Sequence, residues 1–215
     1  IVSLLELRGV VTEDDRKRFL MPNYDTDLHD PFLFADMSKI IDRIRVARER
    51  KETVGIFGDY DADGITSSVI LRKVLQRLDL SVIPYIPDKL TEGHGLHPNA
   101  LDAFERAGAK LVFTVDCGMM NHVEIRDAVS RGMEVIVIDH HHVPEELPEA
   151  FAIVNPKLPG SQYPFTELCG AGTTFTVARA IYEVFLPDKA DELKWLLDIA
   201  AIGTVADCMP LLGEN

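Results

Sequence analysis

Aspartate stands at every second position in Asp59-Tyr60-Asp61-Ala62-Asp63, a run that ends on Gly64. Spaced by two, the three acids can share one side of an extended segment. Two further acids end apolar runs: Leu111-Val112-Phe113-Thr114-Val115 leads into Asp116, and Glu134-Val135-Ile136-Val137-Ile138 leads into Asp139. Thr53-Val54-Gly55-Ile56-Phe57-Gly58 leads into Asp59 in the same way. Continuous Val, Ile and Phe runs of this length read as strands buried on both faces. In open α/β sheets, ligands bind outside the carboxyl ends of such strands. Three carboxylates gathered on that edge disfavour one another's ionisation, and a bound cation is the simplest relief. Residue types and positions alone therefore suggest a metal site.

Histidines follow the third of these acids, in Asp139-His140-His141-His142. Imidazole is the commonest nitrogen ligand for transition metals, and an adjacent carboxylate can orient the ring. Neighbouring side chains on an extended stretch point to opposite sides, so the three rings are not expected to face one ion. His29, His97 and His122 stand singly and read as ordinary residues. His94 is a partial exception, because Glu92-Gly93-His94-Gly95 is a glycine-flanked loop near the same predicted edge. Asp207 follows an apolar stretch at 196–206, where an acid is costly unless paired or on a metal. Cys117 and Cys208 each follow a candidate aspartate and read as small buried hydrophobes. A soft thiolate site would need cysteine pairs, which the sequence lacks. Two plainer readings of the first cluster compete. An EF-hand loop needs a bidentate Glu at its twelfth position, and counting from Asp59 that position is Ile70. Asp63-Gly64 as a turn and helix cap is compatible with a site, but capping does not account for three acids in five residues.

The elements that must carry these residues alternate along the chain. The spacing predicts a short helix over Glu13–Leu20 in an otherwise irregular opening of about 35 residues, and a helix to about residue 50 with Asp36 as its N-cap. Strands are expected at 53–57, 81–86, 110–115, Glu134–Ile138 and 151–154. Helices are expected at 65–78, from Pro98 to Gly108, from Asn121 (with Glu124 as a capping-box partner) to Gly132, at 171–185 and at 190–205. Strands alternating with helices indicate an α/β fold: a mostly parallel sheet flanked by helices on both faces, behind a short helical N-terminal leader.

Composition sets the limits. The 215 residues are 47% hydrophobic, which suits a globular core and excludes disorder over most of the length. No apolar run reaches the ~18–20 residues of a membrane span. Ile1-Val2-Ser3-Leu4-Leu5 is neither a basic n-region nor a long apolar h-region, so no signal peptide is expected. Three cysteines without framework spacing favour a reduced, cytoplasmic setting. With 22 Lys and Arg against 35 Asp and Glu, the net charge is −13. That balance argues against gripping nucleic acid by bulk electrostatics.

Gly58-Asp59-Tyr60-Asp61-Ala62-Asp63-Gly64, Val115-Asp116-Cys117-Gly118, Asp139-His140-His141 and Gly203-Thr204-Val205-Ala206-Asp207 occur in the order and approximate spacing of the DHH phosphoesterases. The chain resembles most the branch of bacterial 5′→3′ single-stranded-DNA exonucleases typified by RecJ. The likeness extends to Arg8-Gly9-Val10, Leu28-His29-Asp30-Pro31-Phe32, Glu92-Gly93-His94-Gly95-Leu96, Val154-Asn155-Pro156 and Gly170-Ala171-Gly172. It departs at His94, where an aromatic is usual, and at His142, which lies outside the family pattern.

The resemblance implies a metal-dependent hydrolase releasing nucleoside 5′-monophosphates by two-metal hydrolysis, in DNA repair and recombination. It implies two divalent cations, Mn²⁺ preferred and Mg²⁺ next. Asp116 would bridge them, with Asp63, His140 and Asp207 on one and Asp61 with Asp59 on the other. His141 and Asp139 would be the catalytic residues, His141 behind the ligands or on the scissile phosphate and Asp139 orienting it. His94, Gly170 and Gly172 would face substrate. Residues 1–35 would be a leader and 36–215 the catalytic domain, with DHHA1 and OB-fold domains expected only in a longer parent. Single-stranded DNA is the implied partner, with a single-strand binding protein and a RecQ-type helicase around the parent, and no membrane. Two other functions fit the same motifs: a DHH phosphodiesterase acting on short oligonucleotides or small nucleotides, and a non-catalytic replication scaffold.

Overall fold

The computed structural model describes residues 2–215. Five strands form one all-parallel sheet in the order β2-β1-β3-β4-β5. They are β1 (Thr53–Gly58), β2 (Ser81–Tyr85), β3 (Ala109–Val115), β4 (Glu134–Ile138) and β5 (Ala152–Val154). The chain moves outward from β1 to β2, then returns to lay β3 on the other side of β1. The order therefore reverses between β1 and β3, and the crevice at that switch point is where open parallel sheets bind ligands.

Nine α-helices accompany the sheet among the described residues: α1 (Val2–Glu6), α2 (Glu13–Leu20), α3 (Met37–Arg50), α4 (Ala62–Arg77), α5 (Pro98–Arg106), α6 (His122–Ser130), α7 (Gly170–Phe185), α8 (Ala190–Leu193) and α9 (Leu197–Ala206). Alternation along the strands sorts the core into two layers. Leu111, Phe113 and Val115 of β3 join Ile56, Ile136 and Ile138 under α3, α4 and α7, whereas Val112, Val135 and Val137 face α5 and α6. Both faces are covered, as the unbroken apolar strands require. On the first face α4, α7 and α9 pack against one another.

Several expected ends move by one to three residues. α4 begins at Ala62, so its cap is Asp61, whose side chain accepts from the Gly64 N–H at 2.9 Å. Asp63 thus lies inside the first turn and is not the cap. Asp36 and Asn121 occupy N-cap positions without capping. Asp36 instead accepts from the Ile153 N–H at 2.9 Å, anchoring the short edge strand β5 to α3. The segment expected as one helix at 190–205 is α8, a 3₁₀ turn at Lys194–Leu196, and α9. The tighter turn brings Leu193 and Leu196 onto one buried side. α1 was not visible in the sequence pattern.

Arg43 on α3 pins the opposite edge of the sheet. Its guanidinium pairs with Glu52 at 2.7 Å and with Glu134 at the start of β4. The side chains of Arg43 and Glu52 are 7% and 10% exposed, so removing one partner strands a buried charge. We expect Arg43→Met to lower unfolding stability by about 3 kcal/mol, read from the denaturant midpoint, and to leave cation binding at the far edge unchanged.

Candidate metal centre

The register of the sheet lines up the acids. Gly58 pairs with Val115, Val115 with Ile138, and Ile138 with Val154. The next residue of each strand, Asp59, Asp116, Asp139 and Asn155, therefore forms a row on the carboxyl edge. Each aspartate continues the ladder with its own N–H: Asp59 to the Val115 carbonyl, Asp116 to Ile138 and Asp139 to Val154. Asp116, in the middle, sits at φ +60°, a left-handed conformation that Asp adopts more readily than most side chains.

Asp63 reaches this row from α4. Its two carboxylate oxygens accept from the Gly170 and Ala171 N–H groups at 2.6 and 2.8 Å, so the N-terminus of α7 clamps it. Glycine is needed at two crossings. A Cβ on Gly170 would stand 2.6 Å from the Asp116 Cβ, and one on Gly203 of α9 would stand 2.5 Å from Asp63 Oδ1. The loop after β4 brings in His140, whose Nε2 lies 3.3 Å from Asp116, 3.5 Å from Asp207 and 3.7 Å from Asp63. Asp207 is the C-cap residue of α9.

Three ligand sets follow, each with donor atoms within 4.8 Å of one another: Asp63, His140 and Asp207; Asp59, Asp61 and Asp116; and Asp116, His140 and His141, which joins the first two. Asp139 lies behind them. It accepts from the N–H groups of Met119, His140 and His141 and from His141 Nδ1 at 2.7 Å. Asn155, fully buried, donates to the His141 carbonyl and fixes the same loop.

The electrostatics are those of a site awaiting positive charge. Burial, followed by the charges of Asp63, Asp61, Asp139 and Asp59, pushes the Asp116 carboxyl up to about 11. Burial also raises Asp59 and Asp207. Burial, then His141, holds His140 below the ordinary imidazole value, which leaves it neutral and able to ligate. The bond to Asp139 raises His141. For Asp139, burial pushes upward but the bonds from His141 and Met119 outweigh it and hold it low. Among the described residues no lysine or arginine pairs with these carboxylates; the nitrogen-bearing side chains paired with them are histidines alone.

The residues present fit divalent cations. Asp59 Oδ1, Asp116 Oδ1 and both ring nitrogens of His140 are buried without a hydrogen-bond partner. Such orphans are costly unless something outside the chain satisfies them. Five carboxylates with one imidazole form a hard donor set suited to Mn²⁺ or Mg²⁺.

The other expected residues separate. His94 joins the site, with Nδ1 2.9 Å from Asp59 Oδ2. Gly170 is buried and its N–H is taken by Asp63, so it forms a wall of the site. Gly172 donates to Cys169 Sγ at 3.3 Å and packs on Leu168, away from the acids. His142 is exposed. Cys117 is buried as expected, but Cys208 is exposed because α9 ends just before it and the chain turns outward. The Asn121 side chain, expected as a cap, bonds the Leu96 backbone and so fixes the loop that carries His94.

A family model described as the DHH family, N-terminal domain, matches residues 53–204. The single-stranded-DNA-specific exonuclease RecJ of Bacillus subtilis is 43% identical over 215 residues, which are 100% of this chain and 26% of that protein. A crystal structure of exonuclease RecJ bound to manganese superposes with a TM-score of 0.76 at 33% identity, covering 86% of this chain and 46% of that one. RecJ from Thermus thermophilus in complex with Mn²⁺ gives 0.73 at 29% identity, covering 97% and 28%. The chain thus spans about a quarter of the length of the curated relative it matches. No helix among the described residues is long and apolar enough to cross a membrane.

Proposed function

The chain belongs to the DHH family, and on that premise we propose that it is the catalytic part of a cytoplasmic 5′→3′ exonuclease. Its proposed reaction releases nucleoside 5′-monophosphates from single-stranded DNA in repair and recombination. One observation carries the reading: the carboxylates of Asp59, Asp61, Asp63, Asp116 and Asp207 converge with the neutral His140 on the sheet edge, with buried donor atoms left unpartnered. The likeness to RecJ supports the choice of substrate.

In this reading Asp63, His140 and Asp207 hold one cation and Asp59 with Asp61 a second, with Asp116 shared; Mn²⁺ is preferred over Mg²⁺. Bound there, the cations would polarise the phosphodiester and acidify an attacking water, so no serine or cysteine nucleophile is needed. Asp63 is fixed by the α7 N-terminus before any ligand arrives. Asp139 binds His141 Nδ1, which leaves Nε2 for a phosphate oxygen. Its hydrogen bond favours the protonated ring, and a cationic ring suits charge developing on the phosphate. His94, held by Asp59, lines the approach. In a longer protein, the proposed neighbours are a single-strand binding protein and a RecQ-type helicase.

Two cations would move the net charge from −13 to about −9. The chain is therefore expected to cut single strands yet hold them weakly, with a shallow dependence of binding on salt, checked by fluorescence anisotropy between 50 and 200 mM salt. The activity test compares a 5′-phosphorylated single strand with a dinucleotide, each with Mn²⁺. Release of mononucleotides from the long strand supports the proposal. Hydrolysis of the dinucleotide alone would replace it with a small-nucleotide phosphodiesterase, and inertness on both would favour a scaffold.

A further inference from the structure

Three carboxylates of the centre owe their direction to backbone N–H groups. Asp63 accepts from Gly170 and Ala171, Asp61 from Gly64, and Asp139 from Met119, His140 and His141. Asp59 is met instead by a side chain from another loop. His94 Nδ1 lies 2.9 Å from Asp59 Oδ2, while Asp59 Oδ1 is buried without a partner. The two oxygens are thus divided, one occupied and one left for something outside the chain to satisfy. An ionised carboxylate only accepts hydrogen bonds, so the shared hydrogen belongs to His94 Nδ1.

The His94 ring is itself held on both sides. It stands between Gly93 at φ +78° and Gly95 at φ +87°, in the loop that joins β2 to α5. Just before it, the Glu92 carboxylate is only 10% exposed. Glu92 accepts from the Tyr85 hydroxyl at 2.5 Å, and from Asn99 Nδ2 and the Asp88 N–H at 2.8 Å each. These bonds tie the loop to the last residue of β2 and to the first turn of α5. Just after it, Leu96 is buried, and the Asn121 side chain bonds both its N–H and its carbonyl. The ring meets Tyr60 and His141 in edge-to-face fashion, with centroids 6.2 and 5.9 Å away. A support fixed before an ion arrives spares that ion much of the ordering cost.

We propose that His94 is a positioning residue for the second cation. By holding Asp59 Oδ2 it turns Oδ1 toward the ion and keeps the carboxylate from rotating away. This task is separate from any contact with substrate, which would fall to the opposite nitrogen, Nε2. The inference rests on the reading of Asp59 as a cation ligand.

Calorimetric titration of the 215-residue chain with Mn²⁺ tests it, with His94→Ala, His94→Asn, Asp59→Ala and the double variant of His94→Ala and Asp59→Ala. Removing the partner that orients a metal ligand typically costs about tenfold or more in affinity. His94→Ala is therefore expected to weaken one of the two ions about tenfold and to leave the other unchanged. His94→Asn can place an amide N–H where Nδ1 stood, so most of the lost affinity should return. In the Asp59→Ala background, His94→Ala should change nothing further, because both substitutions remove one contribution. Wild-type affinity in His94→Ala would overturn the proposal, and so would His94→Asn binding as weakly as His94→Ala. A further loss in the double variant would show His94 acting without Asp59 and would also overturn it. Wild-type binding of both ions by Asp59→Ala would overturn the ligand reading itself. Should His94→Ala fail to fold, nitrogen NMR of the histidine rings in the unsubstituted chain decides, using diamagnetic Mg²⁺. A proton retained on His94 Nδ1 at saturation supports the proposal, and its loss would make His94 a ligand and overturn it.

Discussion

Asp116→Asn is expected to abolish Mn²⁺-dependent hydrolysis and, in the same molecule, to make the metal-free chain more stable. The first effect follows from position, because Asp116 belongs to two of the three ligand sets. Losing it should cost several kcal/mol of transition-state stabilisation, about a thousandfold or more in rate. The second follows from electrostatics. An unfolded Asp116 titrates near 3.8, whereas burial and four neighbouring carboxylates push the folded group up to about 11. At pH 7 the protein must keep this group protonated or hold a charge it disfavours, a cost on the order of 4 kcal/mol at ~1.4 kcal/mol per pH unit above the ordinary value. Asparagine removes the charge, keeps the shape and tolerates the left-handed backbone.

The sign is explicit. A folded pKa above the unfolded one means that the native state binds the extra proton between the two values, so native stability is greatest below pH 3.8 as far as this group is concerned and falls as pH rises toward 11. Metal-free wild type should therefore lose melting temperature between pH 6 and 9 more steeply than Asp116→Asn. Added Mn²⁺ should lift wild type more than the variant. A variant that melts below wild type throughout would show that Asp116 supports the fold rather than burdening it.

Gly170→Ala carries the second large effect, from a single methyl group. Its backbone N–H is retained, so the bond to Asp63 persists. The new Cβ would lie 2.6 Å from the Asp116 Cβ and 2.7 Å from Oδ1, closer than real contacts allow. Alanine favours a helix over glycine by up to ~1 kcal/mol, but overpacking typically costs about 1–3 kcal/mol. Here the obstacle is the rooted end of a short side chain, so we expect a net loss of about 1–2 kcal/mol. Displacing a ligand by a fraction of an ångström to 1 Å should cut the rate about a hundredfold and Mn²⁺ affinity at least tenfold. These losses should appear with KM for DNA nearly unchanged. If Gly170 instead faced substrate, KM would rise and calorimetric Mn²⁺ affinity would stay at the wild-type value.

What the sequence disclosed and what it hid have different physical origins. Strands buried on both faces announce themselves by composition, and an aspartate directly after three of them is visible without coordinates. Parallel register then places Asp59, Asp116 and Asp139 in one row, so the edge was legible from local pattern. His140 follows Asp139 and so belongs to the same local pattern, whereas Asp207 could be attached to that edge only by resemblance, since nothing local says that the end of α9 returns to it. The clamp on Asp63 was hidden for a deeper reason. Its donors are backbone N–H groups more than a hundred residues away, and every residue except proline carries one. Asp36 and Asn121 look like caps because caps and long-range anchors use the same side chains.

The most direct test of the two-cation centre is the stoichiometry of Mn²⁺ on the metal-free 215-residue chain, measured by isothermal titration calorimetry in buffers of different ionisation enthalpy. The account predicts two ions per chain in wild type, proton release on binding as Asp116 gives up its proton, and loss of that released proton together with at least one ion in Asp116→Asn. A single ion in wild type, or two ions bound to Asp116→Asn as tightly as to wild type, would contradict it.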